Sequence, residues 1–216
     1  DTDRARARTA AAEKKKKRSQ KMSTLVTKEA PDFTANAVLA DNTIGQVSLS
    51  SYRGKYVVLF FYPLDFTFVC PSEIIAFDKA VDAFREKNAE VIGVSVDSEF
   101  THFAWKNTAV NEGGIGQVRY PLVADLTTNI ARAYAVLFND AVALRGLFLI
   151  DKDGVVRHAV INDLPLGRNV QEALRMVDAL KHTEAHGEVC PANWQEGDEA
   201  MTPTAEGVAA YLSKNA

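Results

Sequence analysis

The chain has 216 residues, ordinary apolar content, a formal net charge of −3 and two cysteines. No apolar run approaches the ~20 residues that span a bilayer, and a chain of this size buries a sizeable core as one domain. Charge is uneven: residues 1–21 carry nine Lys/Arg against three Asp/Glu, leaving an acidic body of sixteen against twenty-five that argues against a nucleic-acid partner.

The basic head, residues 1–21, lacks the apolar stretch of a secretory signal and reads as a non-native or disordered tail ahead of a start at Met22. Residues 22–186 read as the folded domain. Ala30-Pro31-Asp32-Phe33 opens an extended segment, and Val38-Leu39, a turn at Asp41-Asn42 and Val47-Ser48-Leu49 alternate as a hairpin. An unbroken apolar run, Val57 to Tyr62, ends at Pro63 and predicts a strand buried on both faces. After a short loop, Ile74, Ile75, Phe77, Val81 and Phe84 recur at helical spacing, predicting a helix from Pro71 to about Asn88. Glu90 to Val96 reads as the next buried strand, and Asp97 or Ser98 caps a helix containing Phe100, Phe103, Ala104 and Trp105. The turn Gly113-Gly114-Ile115-Gly116 precedes a strand at Tyr120 to Ala124 and a short helix from about Thr127 to Tyr134. Arg145 to Ile150 and Val155 to Ile161 form strands joined at Asp153-Gly154. Asn169 with Glu172 makes a cap box for a helix lined by Val170, Leu174, Val177 and Leu180. Residues 187–216 are small, polar and acidic, read as an arm with a weak final helix around Thr204 to Leu212. Strands alternating with helices, then a late hairpin, predict an α/β, thioredoxin-like fold: a mixed sheet flanked by helices, plus the C-terminal arm.

Cys70 is the residue to which this order points. It follows a strand and a loop containing Pro63, Asp65 and Thr67, and it precedes Pro71, which suits a first helical position. That places Cys70 at the cap and Glu73 in the first turn. The sulfur then faces unpaired backbone N–H groups and the positive helix end, which favour thiolate over thiol. Buried cysteine is more often an inert small hydrophobe, but this one sits at the carboxyl end of a strand, where open α/β sheets bind ligands. The other cysteine, Cys190, lies 120 positions on, in the arm. Two cysteines are too few for a secreted disulfide scaffold and suit a working pair in a reducing compartment, hence a cytoplasmic protein.

The segment Phe60-Phe61-Tyr62-Pro63-Leu64-Asp65-Phe66-Thr67-Phe68-Val69-Cys70-Pro71-Ser72-Glu73 closely resembles the active-site signature of typical two-cysteine peroxiredoxins. The likeness continues through Trp105, Arg145-Gly146-Leu147-Phe148 and Val189-Cys190-Pro191-Ala192-Asn193-Trp194, covering residues 24–212 in order. It implies thiol-dependent reduction of hydrogen peroxide and organic hydroperoxides without a bound cofactor or metal. Cys70 would become a sulfenic acid, and Cys190 of the partner subunit would condense with it to a disulfide. A thioredoxin-type or flavoprotein disulfide reductase would restore both thiols, and the homo-oligomer would be a dimer assembling into a ring. Residue chemistry fits those roles. Arg145 offers a permanent positive charge, Thr67 a hydroxyl that can orient a peroxide, Pro63 a donor-free rim, and Glu73 a carboxylate to fix the Arg145 fork. Taken singly, Thr67 could merely cap a turn, Pro63 end a strand, and Arg145 lie on the surface. Two elements depart from the over-oxidation-sensitive pattern, Ile115 within Gly113–Gly116 and Leu212 after Tyr211, so the arm is expected to cover Cys70 less tightly.

Rival chemistries fare worse. A thioredoxin-type dithiol needs a cysteine where Glu73 stands, and a cysteine hydrolase needs a placed histidine, which His102, His158, His182 and His186 do not supply. His182, His186 and Cys190 fall at i, i+4, i+8 as if on one zinc-binding helix face, but Gly187 and Pro191 interrupt it and no fourth ligand is near. A holdase role is permitted by the resemblance and demonstrated by no residue.

Overall fold

A computed structural model describes residues 24–215; the basic head therefore lies outside the described residues. These form a seven-stranded sheet in the order β2-β1-β5-β4-β3-β8-β9 and a separate two-stranded hairpin, β6-β7. The strands are β1 (Thr34–Val38), β2 (Ile44–Ser48), β3 (Tyr56–Phe61), β4 (Ala89–Ser95), β5 (Leu122–Ala124), β6 (Leu137–Phe138), β7 (Val142–Ala143), β8 (Arg145–Ile150) and β9 (Val156–Asn162). The helices are α1 (Cys70–Lys79), α2 (Val81–Glu86), α3 (Glu99–Lys106), α4 (Asn129–Ala133), α5 (Val170–His186) and α6 (Ala205–Asn215).

The apolar run at β3 makes the centre. It pairs parallel with β4 and antiparallel with β8, and all six of its residues are buried. Successive strand side chains point to opposite faces, so one run serves two cores. Val58, Phe60 and Tyr62 face a layer with Cys70, Phe77, Phe84, Trp105 and Val177; Val57, Leu59 and Phe61 face another with Ile92, Tyr134 and Phe148. The sheet is mixed, with helices on both faces, as the element order predicted.

Local differences have physical causes. The helix expected to run unbroken to Asn88 bends at Ala80 (φ −97°, ψ −2°) into α1 and α2. No proline or glycine marks the place; the bend keeps Ile74 and Phe77 before it, and Val81 and Phe84 after it, all buried on the sheet. Ser98, whose side chain accepts from the Thr101 N–H, is the cap of α3 rather than Asp97. The strand expected from Tyr120 begins at Leu122, because Tyr120 turns its ring into the core and donates its hydroxyl to the Ile74 carbonyl at 2.7 Å. The hairpin β6-β7 had no sequence signal strong enough to name it. The final helix extends to Asn215, past Leu212, and none of its residues is buried.

Candidate active site

The end of β3 and the start of α1 are joined by Tyr62 to Val69, and this loop is fixed from beneath. Tyr62 donates its hydroxyl to Asp65 Oδ1 at 2.8 Å, His102 Nδ1 lies 2.7 Å from Asp65 Oδ2, and the Asp65 N–H donates to Asp97 Oδ2 at 2.9 Å. Burial pushes the Asp65 carboxyl up, against the opposing hydrogen bond and charge of His102. With its polar end tied down, the chain turns through Phe66 at φ +52°, a left-handed conformation costly for an aromatic residue, and Phe66 tilts against Trp105 at 5.6 Å. Trp105 in turn donates to the Gly113 carbonyl at 2.9 Å. Gly114 is required there, since a Cβ would lie 1.9 Å from the Thr108 carbonyl oxygen.

Cys70 is the first residue of α1 and has no exposed surface. The cap is Val69, whose carbonyl accepts from the Ser72 and Glu73 N–H groups, so Cys70 and Pro71 each sit one position deeper than expected. The correction moves the register by one residue and leaves the sulfur at the positive helix end. Thr67 Oγ1 lies 2.9 Å from the sulfur and 2.8 Å from the Leu64 carbonyl. It has one proton, so it can give that proton to the carbonyl while accepting from S–H, or give it to a thiolate. Pro63, also buried, closes the strand side.

Arg145 is no surface residue: it is 3% exposed at the start of β8, with Nη1 3.5 Å from Sγ and 2.7 Å from Glu73 Oε2, and Nε on the Leu164 carbonyl. Glu73 is the hub. Its Oε1 accepts from the Arg168 N–H and Nε, each at 2.8 Å, and its Oε2 accepts from Arg168 Nη2 at 2.9 Å as well as from Arg145. Burial alone would raise the Glu73 carboxyl; the bonds and charge of Arg168, joined by Arg145, outweigh it and hold the group below its ordinary value. Two guanidiniums against one carboxylate leave one net positive charge in this enclosure.

Arg168 is the site residue that the sequence reading missed. It also donates to the Phe61 and Gly146 carbonyls at 2.8 and 2.6 Å and lies over the Phe60 ring at 5.2 Å, binding β3, β8 and α1 together. One signal was available: it directly precedes Asn169, the cap of α5, and a cation is disfavoured at that helix end unless something else holds it.

Cys190 lies apart from this cluster. Helix α5 ends at Gly187 in the left-handed region (φ +66°), which takes Cys190 off the face shared by His182 and His186. His182 Nε2 is taken by Glu188 at 2.9 Å, and the Cys190 sulfur meets the Ala179 carbonyl and Thr183 Oγ1. Two of the three groups weighed as zinc ligands, His182 and Cys190, are therefore turned to other partners. Within one chain the arm rests on α5, with Trp194 buried against it.

The comparisons with known proteins agree with this geometry. Residues 26–159 match the AhpC/TSA family, and residues 179–214 match the C-terminal domain of 1-Cys peroxiredoxin, although here that segment contains Cys190. Alkyl hydroperoxide reductase C of Helicobacter pylori is 65% identical over 193 residues, covering 88% of this chain and 98% of the relative. Mouse peroxiredoxin-2 is 56% identical, covering 87% of this chain and 95% of the relative. The reduced 2-Cys peroxiredoxin of Plasmodium vivax superposes with a TM-score of 0.87 at 56% identity, covering 88% of this chain and all of that one. With a buried cysteine at a helix head, an arginine beside its sulfur and this breadth of likeness, the chain belongs to the AhpC/TSA family of peroxiredoxins and is a thiol-dependent peroxidase.

Proposed function

We propose that Cys70 is the thiolate that attacks the peroxide and that Cys190 of a partner subunit resolves the product. The observation that carries the first part is the placement of the sulfur at the head of α1 with Thr67 at 2.9 Å and Arg145 at 3.5 Å. A thiolate attacks one oxygen of the O–O bond; a sulfur–oxygen bond forms, the O–O bond breaks, and the second oxygen leaves as alkoxide or hydroxide and takes a proton. Arg145 Nη1 is placed to meet the charge that develops on the leaving oxygen, and the Thr67 hydroxyl to orient the attacked one. Glu73 and Arg168 act through Arg145, fixing its fork. Pro63 offers no N–H that would bring water to the rim.

The sulfenic acid then needs a thiol before a second peroxide arrives. Cys190 is the other cysteine of the chain. Hydrogen peroxide and small organic hydroperoxides are the proposed substrates, a thioredoxin-type or flavoprotein reductase the source of electrons, and a dimer-based ring in the cytoplasm the working form. Two cysteines in 216 residues suit a reducing setting better than a secreted disulfide scaffold.

Replacing Cys70 with serine is expected to reduce peroxide consumption, measured with excess reductant, to the uncatalysed rate. Turnover retained in that variant refutes the assignment. After one equivalent of peroxide, non-reducing gels should show disulfide-linked dimers that vanish in Cys190→Ser; oxidised protein that stays monomeric refutes the second part.

A further inference from the structure

Between Pro63 and Cys70 the usual order of burial is inverted. Leu64, Phe66 and Phe68 are exposed, and of the six loop residues only Asp65, which carries a carboxyl group, is buried. This loop is therefore anchored less by apolar packing than through one acidic side chain. Asp65 Oδ2 lies 2.7 Å from His102 Nδ1, and Asp65 Oδ1 accepts from the Tyr62 hydroxyl at 2.8 Å. The Asp65 N–H donates to Asp97 Oδ2 at 2.9 Å. His102 belongs to α3, three residues before Trp105, against which the Phe66 ring rests. One helix face thus supports two successive loop residues. On the far side of its ring, His102 Nε2 lies 3.2 Å from the Val123 carbonyl of β5.

The protons of the pair can be counted. A carbonyl only accepts, so Nε2 carries an N–H. Nδ1 and Asp65 Oδ2 share one further proton, and the pair is neutral as a whole whichever atom holds it. Such a pair is buried without an uncompensated charge and with its donors and acceptors satisfied, which suits it to hold a loop in one place.

The neighbour that this anchor serves is Thr67. Its Oγ1 lies 2.8 Å from the carbonyl of Leu64, the residue before Asp65, and 2.9 Å from the Cys70 sulfur. A shift at Asp65 moves that carbonyl and with it the hydroxyl. Arg145, by contrast, is held by Glu73 and the Leu164 carbonyl. We infer that His102, acting through Asp65, is a positioning residue for the peroxide reaction: it sets the Thr67 hydroxyl against the Cys70 sulfur while touching neither peroxide nor sulfur. The inference rests on the reading of Cys70 as the attacking thiolate and of Thr67 as the group that orients the peroxide. The contact that matters is Nδ1 to Asp65; that of Nε2 to Val123 fixes the ring.

An asparagine amide can stand in for Nδ1 and a glutamine amide for Nε2, so two substitutions separate the two contacts. The rate of Cys70 oxidation by hydrogen peroxide, followed on the full chain after rapid mixing, should fall about tenfold in His102→Gln and about twofold in His102→Asn. Tyr62→Phe removes one donor to the Asp65 carboxyl and should slow oxidation about threefold. The pH dependence of Cys70 alkylation by iodoacetamide, which reports ionisation of the thiol, should be the same in all three variants as in wild type. In a Thr67→Val background, His102→Gln should cost little more, a non-additivity that a merely structural role would not give. Thermal midpoints check folding, and Tyr62→Phe keeps the test decisive if His102→Gln does not fold. Unchanged oxidation in Tyr62→Phe and in folded His102→Gln overturns the inference. So do equal losses in the two His102 variants, a shifted alkylation profile, or a His102→Gln loss that adds in full to that of Thr67→Val. Absent Cys70 oxidation in wild type, or an unaltered rate in Thr67→Val alone, overturns the underlying reading of Cys70 and Thr67 instead.

Discussion

The two cysteines occupy opposite kinds of surroundings. Around Cys70 the polar groups are pinned: Glu73 accepts four hydrogen bonds from two arginines, Arg168 spends its donors on Glu73, Phe61 and Gly146, and all three side chains are at most 4% exposed. Around Cys190 the chain is held on α5 by one buried indole, the Arg175 bond to Trp194, the His182–Glu188 pair and long contacts of the sulfur itself, with a mostly exposed Glu196 paired to Lys87, and no residue of α6 beyond it is buried. A thiol that must meet a small peroxide in one geometry gains from preorganised charge, because donors already aimed need no rearrangement at the moment of reaction. On the role proposed for Cys190, a thiol that must travel to another sulfur gains from weak attachment, because local opening draws on the least stable parts of a fold.

That contrast breaks most readily at Glu73. In Glu73→Gln the Arg145 and Arg168 guanidiniums lose their shared counter-charge, and chemical denaturation should show a loss of about 3–5 kcal/mol, together with impaired peroxide turnover. A loss under about 1 kcal/mol would mean that the arginines find other partners and that the site is less rigid than its hydrogen bonds imply.

Acid provides a gentler probe of the same group. The folded-state value of Glu73 lies below its ordinary 4.5, so its contribution is complete above that pH and fades as pH falls through the folded value. Between wild type and Glu73→Gln, the difference in stability should be constant above about pH 4.5 and shrink below it, measured by denaturant midpoints across the acid range. A difference that grows on acidification would reverse the sign and with it the role of the arginines.

Trp194→Ala should give the smallest effect on the whole. Truncating a buried tryptophan in a core costs about 3–5 kcal/mol. Here the arm opens instead of the domain, so global unfolding should shift by about 1 kcal/mol or less while protease cleavage within residues 187–203 rises sharply. A global loss of full core size would show that the arm is part of the cooperative unit, and the contrast drawn here would fall.

What was legible in the sequence was local. The run from Val57 to Tyr62, the breaker at Pro63, the cap at Asn169 and the glycine at Gly187 each act on neighbours within a turn or two, so periodicity and punctuation reveal them. The same signals placed Cys70 at a strand–loop–helix junction, even though its cap was off by one residue. The resemblance supplied Arg145 and Cys190. The bend at Ala80 escaped because no proline or glycine marks it, and what it serves is the burial of Ile74, Phe77, Val81 and Phe84, a matter of tertiary packing. His102 escaped because its partner, Asp65, lies 37 positions away and nothing near either residue announces the pairing.

Composition and order along the chain therefore determined the fold class, the place of Cys70 between strand and helix, and the family, since these follow from short-range chemistry and from a contiguous motif. Only the folded structure decided what surrounds that sulfur. Arg145 and Arg168 reach Glu73 across 72 and 95 positions, and such convergence is set by strand register and helix packing, which no local pattern encodes.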